Sequence, residues 1–507
     1  GFKVIKGDYD KDSDPGAISH FQALSTALSA TVGLGNIGGV ALAISLGGPG
    51  AVFWMWVVGF LGMAIKLSEV SLSMIHRNID EADNPSGGPM WVVERNFANK
   101  SGLLKVLGKF IAGTFCVALI VNTITAGNMF QAWNVANLTE AYFGVPTIVT
   151  GLVLAIIVGS VIIGGIKRIG AVTSKLVPFM LIIYVLACIY VLALNFSSIP
   201  EMLSLIVTAA FSPMESSNAF LGGTAGSAFI FGMQRALFSN EAGQGSSAIA
   251  HSAAKTDEPI REGVVAGLEP FIDTIVVCTM SALVILVTGI WNRPAEVQLT
   301  EVVIAQEGQT WSLDGSFEDK ESLKEGAKVF MIYSGSENTD SGNALNKVYG
   351  TVMVENSRKS IEWDRIKSQK IPNTDGAIYL DYVGANLTAA AFDEVSSGLG
   401  KWLVTLASWL FAISTMISWS YYGEKGVAFL MGENAILTYK LSFCALAVLS
   451  TTGFIQTDRE LNLFANLGTG LCIMANLPIL WLFGYQAIRD YKVYIAKLKA
   501  GNFHRGQ

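Results

Sequence analysis

The 507 residues are 51% hydrophobic and only 15% Asp, Glu, Lys or Arg, where soluble domains carry about 25% charged residues. The mean hydropathy is +0.46, and 34 basic against 40 acidic residues give a formal charge of −6. These figures exclude a disordered chain and a small disulfide scaffold, give no reason to expect nucleic acid, and leave one large body in a lipid bilayer.

A membrane helix needs about 20 mostly apolar residues. Ten such stretches follow one another, at 17–46, 50–76, 103–136, 146–166, 171–195, 218–254, 259–290, 397–424, 428–452 and 460–488. The chain therefore reads as an all-α polytopic membrane protein, because a helix satisfies its own backbone hydrogen bonds in lipid. The loop after the second stretch holds Arg77, Arg95, Lys100 and Lys105. Lys167, Arg168 and Lys175 follow the fourth, and Lys255 and Arg261 follow the sixth. The alternate loops at 47–50, 137–146 and 196–217 hold no Lys or Arg. Basic loops stay on the cytoplasmic side, which predicts that both ends of this chain are cytoplasmic.

Residues 292–395 break the pattern. Short β-branched and aromatic runs (Lys328–Tyr333, Lys347–Val354, Ala377–Val383) alternate with Gly, Ser, Asn and Asp. That predicts a small β-rich soluble insert. Its place after the seventh stretch puts it outside the cytoplasm. The expected units are 1–195 (tail and first five helices), 196–291 (helices six and seven), the insert 292–395, 396–489 (helices eight to ten) and a cytoplasmic tail 490–507.

Two stretches share a glycine pattern. The first contains Ser29-Ala-Thr-Val-Gly33-Leu-Gly35-Asn36 and the sixth contains Ser239-Asn-Glu-Ala-Gly243-Gln-Gly245-Ser246. They open two successive groups of five helices, and an odd number per group inverts the second relative to the first. Glycine lowers the cost of leaving helical geometry. Paired glycine interruptions at matching positions of two halves point to a transporter binding site, where freed N–H and C=O groups meet substrate and cation. Gly33–Gly38 also fits a dinucleotide fingerprint, but no strand precedes it and position 56 is Trp, so that reading fails.

Ionisable residues inside membrane stretches are costly and call for a role. Lys66 and Glu69, three apart, suggest a local ion pair. Arg235 and Glu241 bracket the break in the sixth stretch and suggest a pair across it. Glu269 and Asp273 lie at i, i+4 on one helical face. The four histidines (His20, His76, His251, His504) form no metal-ligand motif, and the five cysteines lie in apolar stretches without a CxxC pair. The sequence thus offers no enzyme chemistry.

Several motifs occur together and in order: Ser29-Ala-Thr-Val-Gly-Leu-Gly-Asn-Ile, Gly87-Gly-Pro-Met, Gly127-Asn-Met, Phe238-Ser-Asn-Glu-Ala-Gly with Ile249-Ala-His, Phe271-Ile-Asp-Thr and Trp419-Ser-Tyr-Tyr-Gly-Glu. In these the chain resembles the alanine or glycine:cation symporter family over nearly its whole length outside 292–395. The resemblance implies a leucine-transporter-like fold of five plus five inverted helices. It implies sodium-coupled uptake of a small neutral amino acid, alanine or glycine, across the cytoplasmic membrane, with sodium as coupling ion and no other cofactor. By resemblance, Gly33, Gly35 and Asn36 receive the amino acid at the first break, Gln131 faces the same cavity, Phe238 covers it, and Thr415 and Trp419 line its wall. The sodium site would use the carbonyls of Ser29, Val32 and Phe411 and the hydroxyls of Ser414 and Thr415. The family carries one more N-terminal membrane helix, which leaves room for a natural chain that begins upstream of Gly1. It lacks the insert as a usual feature, and it often has an apolar residue at position 244, where this chain has Gln. The alternative expectation is an amino-acid sensor that keeps the transporter fold and signals through the insert.

Overall fold

The computed structural model describes residues 1–9, 14–81, 84–98, 100–308, 310–338, 343–355, 358–382, 384–455 and 458–501; His504 lies outside them. A short α1 (Phe2–Ile5) precedes α2 (His20–Thr31). Ser19 starts α2 with a capping box, its hydroxyl accepting from the Gln22 N–H while the Gln22 side chain accepts from the Ser19 N–H. The backbone leaves helical geometry at Val32 (φ −82°, ψ 86°). A π-helical turn at Gly35–Gly39 then leads into α3 (Val40–Gly47), and the axis bends by 48° across the break.

Next come α4 (Gly50–His76) and a short α5 (Pro89–Phe97). α6 (Leu103–Ile124) runs through a π-helical turn into α7 (Phe130–Phe143), and α8 (Thr147–Ile162), α9 (Gly165–Leu194) and α10 (Ile199–Ala209) follow. α11 (Ala225–Asn240) breaks before α12 (Ser247–His251). α13 (Pro259–Ala266) passes through a π-helical stretch at Phe271–Cys278 into α14 (Thr279–Val287).

Six strands come next: β1 (Val297–Glu307), β2 (Thr310–Phe317), β3 (Lys328–Asn338), β4 (Asn343–Glu355), β5 (Arg358–Trp363) and β6 (Ala377–Leu380). The chain closes with α15 (Ala385–Val395), α16 (Thr405–Met431), α17 (Ile436–Leu449) and α18 (Asp458–Lys499).

Among the described residues, seven helical stretches are long and apolar enough to cross a membrane, and the bent pair of α2 and α3 adds an eighth. Three of the ten expected segments differ from a plain span. Segment 17–46 is the bent pair α2 and α3, 146–166 is the 16-residue α8, and 218–254 is the broken pair α11 and α12. α10 was expected as loop; Leu203 and Val207 on it and Phe211 just beyond it are exposed. Phe60, Leu61, Ile156, Leu186 and Trp481 are also large, apolar and exposed, as befits the outer face of a bundle whose solvent is lipid. α2 packs against α9 and α16, and α4 against α11 and α13. The first helix of the first half is therefore interior, with ten of its twelve residues buried.

The strands form one antiparallel sheet in the order β2-β1-β6-β3-β4-β5. It has its own core, including Val329, Met331, Val352 and Ile378. Phe330 and Tyr379 stack 5.2 Å apart at a seam with Ala219 of the membrane body. The range 292–395 is not all insert. α15 joins the membrane body, where Thr388 Oγ1 donates to the Ile37 carbonyl (3.0 Å) and Tyr142 Oη donates to Asp393 Oδ2 (2.8 Å).

Candidate functional site

The two glycine-marked breaks meet. Glu241 ends α11 with φ 57°, and Gly243 and Gly245 follow at φ 87° and 73°. Such left-handed geometry strains any side chain with a Cβ and explains glycine at the last two positions. Opposite them lies the first break. Its Gly33 N–H donates to Asn36 Oδ1 (2.9 Å) and its Leu34 N–H to Gln131 Oε1 (3.1 Å). The Gln131 amide is completed by the Ala126 carbonyl (3.1 Å).

Between the breaks is a small cavity of about 10 Å³, the room one water-sized body needs. Of the expected residues, Gly33, Gly35, Gln131, Phe238 and Trp419 line it, and Gln244 joins them. The Phe238 ring tilts against Phe130, 4.8 Å between centroids, with the Arg235 guanidinium 5.3 Å from its centre. Trp419 packs directly on Gly127, where any Cβ would enter the indole ring. That close approach accounts for the glycine of the Gly127-Asn-Met motif. Ala30, Thr31, Ala126 and Thr469 also line the cavity and were missed. Thr469 carried a readable signal, a hydroxyl between Gly468 and Gly470 inside an apolar helix.

Two expected residues face elsewhere. The Asn36 amide donates to Ser239 Oγ (3.0 Å), to the Asp273 carboxylate and to Cys278 Sγ (3.3 Å). A buried amide must satisfy its donors, and Asp273 is the strongest acceptor in reach. Asn36 thus ties the two halves together instead of lining the cavity. The Thr415 hydroxyl also turns away, donating to the Ser29 carbonyl at 2.9 Å.

Four of the expected cation ligands, Ser29, Phe411, Ser414 and Thr415, are joined by hydrogen bonds. Ser29 Oγ donates to the Ser414 carbonyl (3.2 Å) and lies against Ser418 Oγ, while Ser414 Oγ donates to the Phe411 carbonyl (2.9 Å). Val32, at the end of α2, has a carbonyl outside the helical ladder. Ser29, Val32, Phe411, Ser414 and Thr415 are all buried.

The charged residues pair differently from the local expectation. Lys66 bonds Glu269 (3.1 Å) and Ser247 (2.6 Å), not Glu69, which accepts from Asn476 (2.7 Å). Glu269 also meets His251 Nε2; His251 Nδ1 meets Glu262 (2.5 Å), and Glu262 meets His20. All five side chains of this chain of contacts are fully buried. Asp273 lies in the π-helical stretch, which breaks the i, i+4 register with Glu269 and sends the two carboxylates into separate networks. Arg235 donates to Asn462 and Asn466 (2.8 Å for Asn466), and Glu241 accepts from Ser246, so neither serves as the expected bridge across the break.

The sodium:alanine symporter family model matches residues 1–317 and 374–506. The chain belongs to that family. It is 36% identical to the sodium/alanine symporter AgcS of Methanococcus maripaludis, over 99% of this chain and 90% of that protein. It is 29% identical to the sodium/proton-dependent alanine carrier protein of Bacillus sp. strain PS3, over 97% and 92%. The crystal structure of MhsT in complex with L-phenylalanine superposes with a TM-score of 0.52 at 14% identity, covering 91% of this chain and 88% of that one. That likeness shows the leucine-transporter-like fold. The family consists of transporters, so this symporter family member is a multi-pass membrane protein and not an enzyme. The family match omits 318–373, most of the insert.

Proposed function

We propose that this chain is a sodium-coupled symporter that imports a small neutral amino acid, alanine or glycine, by alternating access. The observation that carries the reading is the small cavity where two broken helices meet, one from each half. Its lining is neutral, with backbone groups at Gly33 and Gly35 for the amino and carboxylate ends and aromatic rings at Phe238 and Trp419 for closure. It holds about one water as it stands, so an amino acid enters only when the halves part, and the close walls leave little room for a side chain.

Sodium binds where α2 meets α16. Hard cations prefer oxygen, and the carbonyls of Ser29, Val32 and Phe411 with the hydroxyls of Ser414 and Thr415 supply five. The hydroxyls of Ser414 and Thr415 already point at two of those carbonyls. Turning their protons aside presents the oxygen lone pairs of both partners to one cation. The cation then holds α2 against α16 and completes the wall beside Gly33. Five helices of one half rock against five of the other, in the cytoplasmic membrane with both ends inside and the insert outside. Sodium leaves into the low-sodium cytoplasm and the substrate follows.

Radiolabelled alanine uptake into proteoliposomes tests this. With an inward sodium gradient, alanine accumulates above its external concentration and unlabelled glycine competes. With potassium in place of sodium, it does not. Binding without accumulation would replace symport by the sensor reading.

A further inference from the structure

The cavity has one polar wall that neither the break geometry nor the cation ligands use. Gln244 is fully buried and sits between Gly243 and Gly245, so its side chain leaves an unwound turn rather than a helix. Its amide is held at both ends. Nε2 donates to the Leu237 carbonyl (2.7 Å), and Oε1 accepts from Asn122 Nδ2 (2.7 Å). Asn122 Oδ1 in turn accepts from Thr469 Oγ1 (3.4 Å). Gln244 and Thr469, from different helical segments, both reach the cavity surface.

A glutamine amide offers two N–H donors and two acceptor lone pairs, and a threonine hydroxyl one donor and two lone pairs. The bonds above use one donor and one lone pair of Gln244 and the donor of Thr469. One donor and one lone pair of Gln244 and the lone pairs of Thr469 therefore remain unused, on two residues that both line the cavity. An apolar side chain placed against this wall leaves them unpaired in a dry site, at a cost. A charged side chain finds no charged lining residue to pair with.

Resting on the reading that this cavity is the amino-acid site, we propose that Gln244 and Thr469 form a side-chain recognition wall. Among amino acids with a side chain larger than that of alanine, the wall then favours one bearing a hydroxyl, with serine taken ahead of its hydrocarbon isostere. A wall of this kind discriminates by hydrogen bonding, which is sharper than discrimination by volume alone. The pair L-serine and L-α-aminobutyrate isolates the effect, because the two differ by a hydroxyl in place of a methyl.

The test is competition of each against radiolabelled alanine uptake, with the full chain in proteoliposomes under a sodium gradient. Serine competes at least about tenfold more strongly than α-aminobutyrate, the factor one hydrogen bond of about 1.4 kcal/mol supplies. Gln244→Leu brings the ratio close to one. Thr469→Val, which leaves the Gln244–Asn122 bond in place, lowers it several-fold and decides the matter if Gln244→Leu does not fold. Equal competition in the parent chain, or a ratio that neither variant moves, overturns the wall while leaving the cavity as the amino-acid site. Absence of any sodium-dependent alanine uptake in the folded parent chain overturns both.

Discussion

The cavity and the ion network a few turns away solve burial in opposite ways. The cavity is lined by neutral groups: backbone at Gly33 and Gly35, amides at Gln131 and Gln244, rings at Phe238 and Trp419. The network joins His20, Glu262, His251, Glu269 and Lys66 without exposing any of them. A neutral lining can release a ligand, because no ion is left bare when the ligand goes. A buried charge without its partner is expensive. The difference teaches that the charges hold helices together, while the proposed substrate cavity is lined by dipoles. The network spans both halves, since His20 and Lys66 come from the first and the other three from the second.

That division is easiest to break at Glu262, which accepts from two histidines on two segments. Glu262→Ala takes the carboxylate from His20 and from Nδ1 of His251, which keeps Glu269 on Nε2, and should cost about 3–5 kcal/mol of stability. Thermal unfolding of the purified protein in detergent checks this, and an unchanged midpoint would show that the network holds nothing. Asn36→Ala comes next. It strips the amide from Asp273 and Ser239, where a hydrogen bond to a charged group contributes about 1.5–3 kcal/mol. Stability should fall by about that amount, read as a lower unfolding midpoint in detergent, and an unchanged midpoint would show that Asn36 ties nothing. Trp419→Ala opens the cavity wall toward Gly127. Alanine uptake should drop at least about tenfold, while larger neutral amino acids gain relative to alanine; unchanged uptake and selectivity would remove Trp419 from the site. The smallest effect belongs to the insert. Deleting 297–380 and joining the ends should leave the unfolding midpoint of the membrane body nearly unchanged, because β1 and β6 pair antiparallel at Val297 and Ile378 and so bring the two ends of the deletion close. Extending the deletion through 395 should destabilise it, because α15 would be lost.

The contrast also explains what the sequence could disclose. Both breaks were legible because glycine pairs at matching places in two apolar stretches have few other uses. Gln131, Phe238 and Trp419 were legible through the family resemblance, and all three line the cavity. Asn36, too, was assigned to the substrate through the family resemblance. Its amide turns to Asp273, a partner 237 residues away that no local pattern announces. Lys66 and Glu69 looked like a helical pair, yet each takes a partner from another helix. Sequence spacing reports neighbours on one helix only, so a network assembled from five distant residues stays hidden until the helices pack. The end of the insert was misjudged for a similar reason. Ala385–Val395 is too short and too polar to read as a span, and only its packing on Ile37 and Tyr142 assigns it to the membrane body.

The central claim is that the amino acid and sodium bind at adjoining places on the same broken helix and therefore favour one another. Linkage requires each to raise the other's affinity by the same factor. The most direct measurement is equilibrium binding of radiolabelled alanine to the purified protein across a range of sodium concentrations, paired with sodium binding across a range of alanine. The account predicts matching factors of at least about tenfold, lost together in Thr415→Val. Alanine affinity that is the same in sodium and in potassium would contradict it.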